Sequence, residues 1–178
     1  SFYFETFNEA HVHLVDLRAT PISAIDERGV ATSDQHYEVD AIVFATGFDA
    51  MTGALSSVDI RGREGTSLRD AWKDGPVNYL GLGVAGFPNL FTVTGPGSPS
   101  VLTNMVSSIE QHVEWIDDCL VWMGERGASR IEATGAAQTK WVAYLNESGD
   151  ATLFPVANSW YVGANIPGKA RFFMPYVN

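Results

Sequence analysis

The chain has one cysteine, Cys119, in 178 residues, so no internal disulfide framework can hold it together. That usage suits a reducing compartment, and a cytoplasmic location is expected. Basic residues are scarce: 11 Lys and Arg stand against 21 Asp and Glu, for a net charge of −10. No basic run offsets this balance, which argues against a nucleic-acid or anionic-membrane partner. No apolar run approaches the roughly 20 residues of a membrane span, and no charged-then-apolar leader follows Ser1. The GxGxxG fingerprint, the Walker loop, GxSxG, HExxH and CxxC are all missing, which removes the common local signatures of phosphate cradling, acyl transfer and structural zinc.

At 46% hydrophobic, the chain has the composition of one globular domain or of a piece of a larger one. It opens on "SFYFETF" without a methionine and closes on "RFFMPYVN", a run more typical of a buried strand than of a terminus. The expectation is a fragment or a processed product.

Along the chain, residues 11–17 ("HVHLVDL") and 21–25 ("PISAI") are expected as short strands. "DERG" makes a turn, and "EVDAIVFATGFDA" (38–50) reads as a buried strand, because residues 41–44 are apolar without alternation. Small residues at Ala45, Thr46 and Gly47 mark its end, where ligands sit in open α/β sheets. "DIRGREG" is expected as a surface turn and "SLRDAW" as a short helix. Residues 90–93 are expected as a second apolar strand, stopped by Gly95, Pro96 and Gly97. Ile109, Val113, Ile116, Leu120 and Met123 recur at spacings of four and three, the mark of one helical face. Ser100, Thr103 or Asn104 can cap that helix, and Gly124 or Gly127 can end it. A second helix is expected over 136–147, with Trp141 and Leu145 facing inward and Thr134 as its cap.

The strongest candidate for chemistry is the succession of strand, Gly-Pro-Gly turn and helix. A helix amino end presents unpaired amides and partial positive charge, so it can hold a phosphate or the N1/C2-carbonyl edge of a reduced flavin. The plainer alternative is an ordinary strand-to-helix turn. In "NSWYVGAN", Trp160 and Tyr161 sit among Asn and Gly, where a large aromatic can either close over a planar cofactor or anchor the loop to the body. His11 and His13 share a strand face but lack a third ligand. His112 reads as a packed or surface histidine, Asp117 and Asp118 do not face each other on a helix, and Cys119 reads as core.

Taken as a set and in order, "DAIVFATGFDA", "DIRGREG", "GPVNYLGLGVAGFPNLFTVTGPGSPSVLTNM", "SIEQHVEWI" and "SWYVGANIPGK" resemble the C-terminal part of Baeyer–Villiger monooxygenases, class B flavoproteins of the cyclohexanone and phenylacetone type. The resemblance implies an α/β fold, the end of a two-domain Rossmann-like flavoprotein built as a three-layer sandwich with a small β-meander. Residues 1–47 would complete an NADP-binding domain. Residues 48–178 would belong to the FAD-binding domain and include a mobile cofactor loop at about 156–169. It further implies FAD and NADPH as cofactors, a small-molecule ketone and O2 as substrates, and a peroxyflavin mechanism giving an ester or lactone. Asn104 and Met105 would meet the flavin, Met105 through its backbone, and Trp160 would fold over the nicotinamide cofactor. Ser100, Val101 and Leu102 would line the ketone pocket, and Lys169 has no role beyond a phosphate contact.

The departures are both glycine fingerprints, the family's FxGxxxHxxxWP signature, and the arginine and aspartate of the catalytic centre. No catalytic residue is therefore assigned in this chain. The missing N-terminal portion of the enzyme is its expected partner, and the chain alone is expected to be inactive. A neighbouring N- or S-oxidising flavin monooxygenase and a non-catalytic binding or assembly domain are the alternatives.

Overall fold

A computed structural model of the chain describes residues 2–98 and 104–172. They divide into two compact units, residues 1–46 and 47–178.

The smaller unit begins with a single helical turn, α1 (Tyr3–Thr6). Three antiparallel strands follow in the order β1 (Ile22–Asp26), β2 (Gly29–Thr32), β3 (His36–Glu38). The "DERG" turn forms because the Asp26 carboxylate accepts the amides of Arg28 at 2.9 Å and Gly29 at 3.2 Å. His36 Nε2 lies 3.1 Å from both oxygens of that carboxylate. The Arg28 amide first, and then His36, hold the Asp26 carboxyl below its usual range. Gly29 has φ +154, and a Cβ there would meet the Tyr37 carbonyl oxygen at 2.0 Å, so only glycine lets β2 and β3 close. A small antiparallel meander turning at "DERG" is as expected from the sequence, but not all of its expected strands form.

Two expected strands of this region are absent. Residues 11–17 are irregular, and Asp16 instead organises a turn, accepting from the Ala19 and Thr20 amides. The apolar stretch expected as a buried strand pairs only as far as β3. Beyond it the chain carries no assigned element up to Asp49, and Val43 is 87% exposed and Phe44 71%. A strand that is apolar on both faces needs neighbours on both edges and cover on both sides. Among the described residues none lies alongside.

The larger unit is built from helices and stitched loops. Its short elements are α2 (Gly53–Ser56), a 3-10 turn at Arg63–Gly65, and α3 (Leu68–Ala71), capped by the Ser67 hydroxyl accepting from the Asp70 amide. Leu68, Trp72, Val84 and Phe87 form its core. Residues 90–93 are not a strand; the segment 85–89 is instead tied side chain to backbone onto residues 129–138. Asn89 donates to the Ser129 carbonyl at 3.1 Å and accepts from the Ile131 amide at 3.0 Å. Gln138 accepts from Ala85 at 2.9 Å, and Glu132 accepts from Gly86 at 3.0 Å while pairing with Arg63. These bonds satisfy backbone groups that a sheet ladder would otherwise take.

The long helices match expectation in extent. α4 (Met105–Glu125) is capped by Asn104, whose side chain accepts from the Val106 amide at 3.1 Å. It ends with Gly127 at φ +60, the Gly127 amide bonding to Gly124 and the Ala128 amide to Met123, a Schellman arrangement. α5 (Gly135–Asp150) is capped by Thr134 and buries Leu145, with Trp141 half-buried.

The buried face of α4 differs from expectation. Ser108, His112, Cys119 and Met123 are buried, whereas Ile109, Val113 and Leu120 are exposed. The apolar surface of α4 is wider than the contact the described residues make.

Leu68 is fully buried in the core. Leu68→Ala is expected to cost about 3 kcal/mol, read as a lower midpoint in urea unfolding with little change in slope.

Candidate functional site

The Gly95, Pro96, Gly97 turn is held from three sides. The buried Asn78 side chain donates to the Pro96 carbonyl and accepts the Gly81 amide at 2.9 Å. Thr92 Oγ1 donates to the Gly81 carbonyl at 2.7 Å, and the Gly95 amide reaches the same oxygen at 3.2 Å. From α5, Trp141 Nε1 donates to the Gly97 carbonyl at 3.3 Å. The approach is close enough to demand glycine. A Cβ on Gly81 would lie 2.3 Å from the Ser98 Cβ, and one on Gly97, with φ +78, would lie 2.7 Å from a Leu145 methyl.

α4 is fastened to this turn by His112. Its Nδ1 accepts the Thr94 amide at 2.9 Å, so the neutral ring carries its proton on Nε2. Burial lowers the His112 pKa from its ordinary value of 6.5. A cavity of about 280 Å³ opens beside the ring, lined by Leu80, Leu82, Ser98, Trp115 and Trp141. Ser98 Oγ is buried there with no partner among the described residues.

At the start of α4, Asn104 is exposed and Met105 half-buried. The helix amino end places its first amides and their partial positive charge at these two residues, and a negatively charged ligand edge is what such an end can hold. Ser100, Val101 and Leu102 lie outside the described residues.

Trp160 stands on a separate loop, at the first position of a 3-10 turn (Trp160–Val162) capped by the Ser159 hydroxyl. Tyr161 and Val162 anchor the loop, buried with Phe172, and the Tyr161 ring stacks on Phe154 at 5.2 Å, whereas Trp160 is 52% exposed. Lys169 is paired with Asp49 rather than free. Asn78 escaped sequence reasoning, since nothing local separates a buried asparagine from a turn asparagine. Its nearest signal is the surrounding Gly and Pro of "GPVNYLGLG".

No family model matches the chain. It is 44% identical over 98% of its length to a Baeyer–Villiger monooxygenase of Pseudooceanicola batsensis, spanning 32% of that protein. It is 45% identical over 94% of its length to a cyclopentanone 1,2-monooxygenase of a Comamonas species, spanning 30% of it. Among solved structures, the monooxygenase OTEMO in complex with FAD and NADP superposes over the whole chain and 32% of its own, with a TM-score of 0.88 and 39% identity. The chain thus spans about a third of the length of the proteins it matches, and it is homologous over nearly all of its own length to Baeyer–Villiger monooxygenases.

Protonating His112 removes the acceptor of the Thr94 amide and charges a buried ring. Because its folded pKa is lowered, its contribution is present above pH 6.5 and is lost as pH falls below that value through the folded pKa. The melting temperature should therefore fall between pH 7.5 and 5.5. His112→Asn, which keeps an acceptor but no titrating group, should show a shallower fall, measured by thermal unfolding across that range. Gly81→Ala is expected to lose about 2 kcal/mol or more, seen in the same assay at pH 7.5.

Proposed function

We propose that this chain, homologous to a third of a Baeyer–Villiger monooxygenase, is the part of such an enzyme that meets the flavin edge and closes over the nicotinamide cofactor. The whole enzyme inserts one oxygen atom of O2 beside a ketone carbonyl to give an ester or lactone, with NADPH as reductant. Residues 1–47 would complete an NADP-binding domain and 48–178 the FAD-binding domain of a Rossmann-like sandwich, in a cytoplasmic enzyme. Among the described residues, no helix is long and apolar enough to cross a membrane. The observation that carries the reading is the capped amino end of α4 behind the pinned Gly95, Pro96, Gly97 turn, in a segment homologous throughout to these enzymes.

The residues present fit the cofactors. The amino end of α4 offers positive potential at Asn104 and Met105, suited to the negative charge of a reduced flavin's N1/C2-carbonyl edge. Bound FAD, reduced by NADPH, supplies the activation of O2. Here the chain's own role is to bind and orient. The Met105 amide, with Asn104 behind it, would hold the flavin edge, and Trp160, half-exposed beside the buried Tyr161, would fold over the nicotinamide cofactor and limit water. No side chain of this chain is assigned as a catalytic residue. On this reading the catalytic arginine and aspartate, and both glycine-rich phosphate sites, would lie in an N-terminal portion with which this chain would act.

The test is made on the full-length polypeptide carrying this chain. NADPH oxidation should accelerate when a cyclic ketone is added, and the product should be heavier than the ketone by one oxygen atom. Ketone-independent oxidation with no such product would overturn the proposal. Trp160→Ala should raise KM for NADPH or uncouple its oxidation by about tenfold, with the flavin absorbance unchanged. Loss of bound FAD with unaltered NADPH behaviour would refute the placement of Trp160.

A further inference from the structure

Residues 48–50 open the larger unit, immediately after the boundary at residues 46 and 47. All three are engaged by the far end of the loop that carries Trp160. The Asn165 side-chain amide donates to the Phe48 carbonyl at 3.0 Å. The Lys169 ammonium donates to the Asp49 carboxylate and, at 3.0 Å, to the Ala50 carbonyl. Partners separated by 117 to 120 positions in sequence therefore meet along one short segment.

Two features distinguish this pair from an ordinary surface ion pair. The Lys169 side chain is only 14% exposed, so its charge is poorly screened and would be stranded without Asp49. The lysine stem also lies against the Trp160 turn. A Cβ on Gly163, the left-handed residue that ends that turn, would approach Lys169 Cδ at 3.3 Å. The Lys169 Nζ stands 5.5 Å from the centre of the Phe172 ring, within the cluster that buries Tyr161 and Val162. Arg69 and Lys73 line a pocket with Asp49 and Lys169, but Arg69 is spent on the Ser56 carbonyl. Lys169 is the cation that the structure pairs with Asp49.

We propose that Lys169 and Asp49, with Asn165, are positioning residues that fasten the Trp160 loop to residues 48–50 of the same unit. The placement of the loop and the conformation of residues 48–50 thereby become one coupled choice. The consequence for catalysis rests on the proposed role of Trp160, whereas the fastening itself does not.

The experiment is amide hydrogen exchange on the full-length protein without added NADPH, following Val162, Gly163, Ala164 and Ile166, whose amides close the turn. Lys169→Met and Asp49→Asn should each speed exchange there by about tenfold, while α5 exchanges as before. The double variant should exchange no faster than the faster single variant, because both changes remove one interaction. Lys169→Arg, which keeps donors for both acceptors, should exchange like the wild type. Unchanged exchange in the single variants, additive effects in the double, or acceleration that spreads equally into α5 would each overturn the proposal. KM for NADPH in Lys169→Met tests the companion reading. It should rise with flavin content unchanged. If exchange quickens and KM does not move, the fastening stands and the assignment of Trp160 to the nicotinamide cofactor fails.

Discussion

The buried amide of Asn78 is the interaction on which the rest of the larger unit depends. By donating to Pro96 and accepting from Gly81, it locks two glycine-containing turns together where no sheet ladder exists to do so. Thr92 and Trp141 bind the same turns from other directions, and His112 carries the constraint into α4. The direction in which α4 presents its amino end is therefore a property of this polar network. Such a network is effective because a buried amide left unpaired costs more than any one of these bonds contributes, so the partners must stay together.

The same logic accounts for what is not packed. Polar stitching through Asn89, Gln138 and Glu132 satisfies backbone groups locally, but it does not cover apolar surface. Val43, Phe44 and Phe48 remain exposed, as do Ile109, Val113 and Leu120 on α4. A contiguous apolar face on an ordered element is unusual for a surface bathed in water. The chain spans about a third of the length of the proteins it matches.

Legibility in the sequence followed the range of the interaction. Caps and stops within a few residues of their targets were readable as short lists: Asn104 was one of three caps and Gly127 one of two stops for α4, while Thr134 on α5 and the Asp26 turn of the meander were named outright. The periodicity of α4 was readable as a helix, but the face it buries was offset by about one residue, because the apolar arc is wider than the contact. The apolar runs at 41–44 and 90–93 have strand composition and do not pair in this structure. Composition reports what a segment tolerates, and pairing requires a neighbour.

By itself, then, the sequence determined which segments turn, which coil into helices and where those helices begin, since each choice is settled by side chains acting on backbone only a few positions away. Its ordered blocks also pointed to the flavin monooxygenases. Tertiary structure alone decided that Asn78 would hold the turn before α4, that Tyr161 rather than Trp160 would be the anchor, and that Lys169 would find Asp49. Those outcomes join residues 7 to 120 positions apart. They depend on which buried donor or charge has no better partner in space, and no local pattern carries that information.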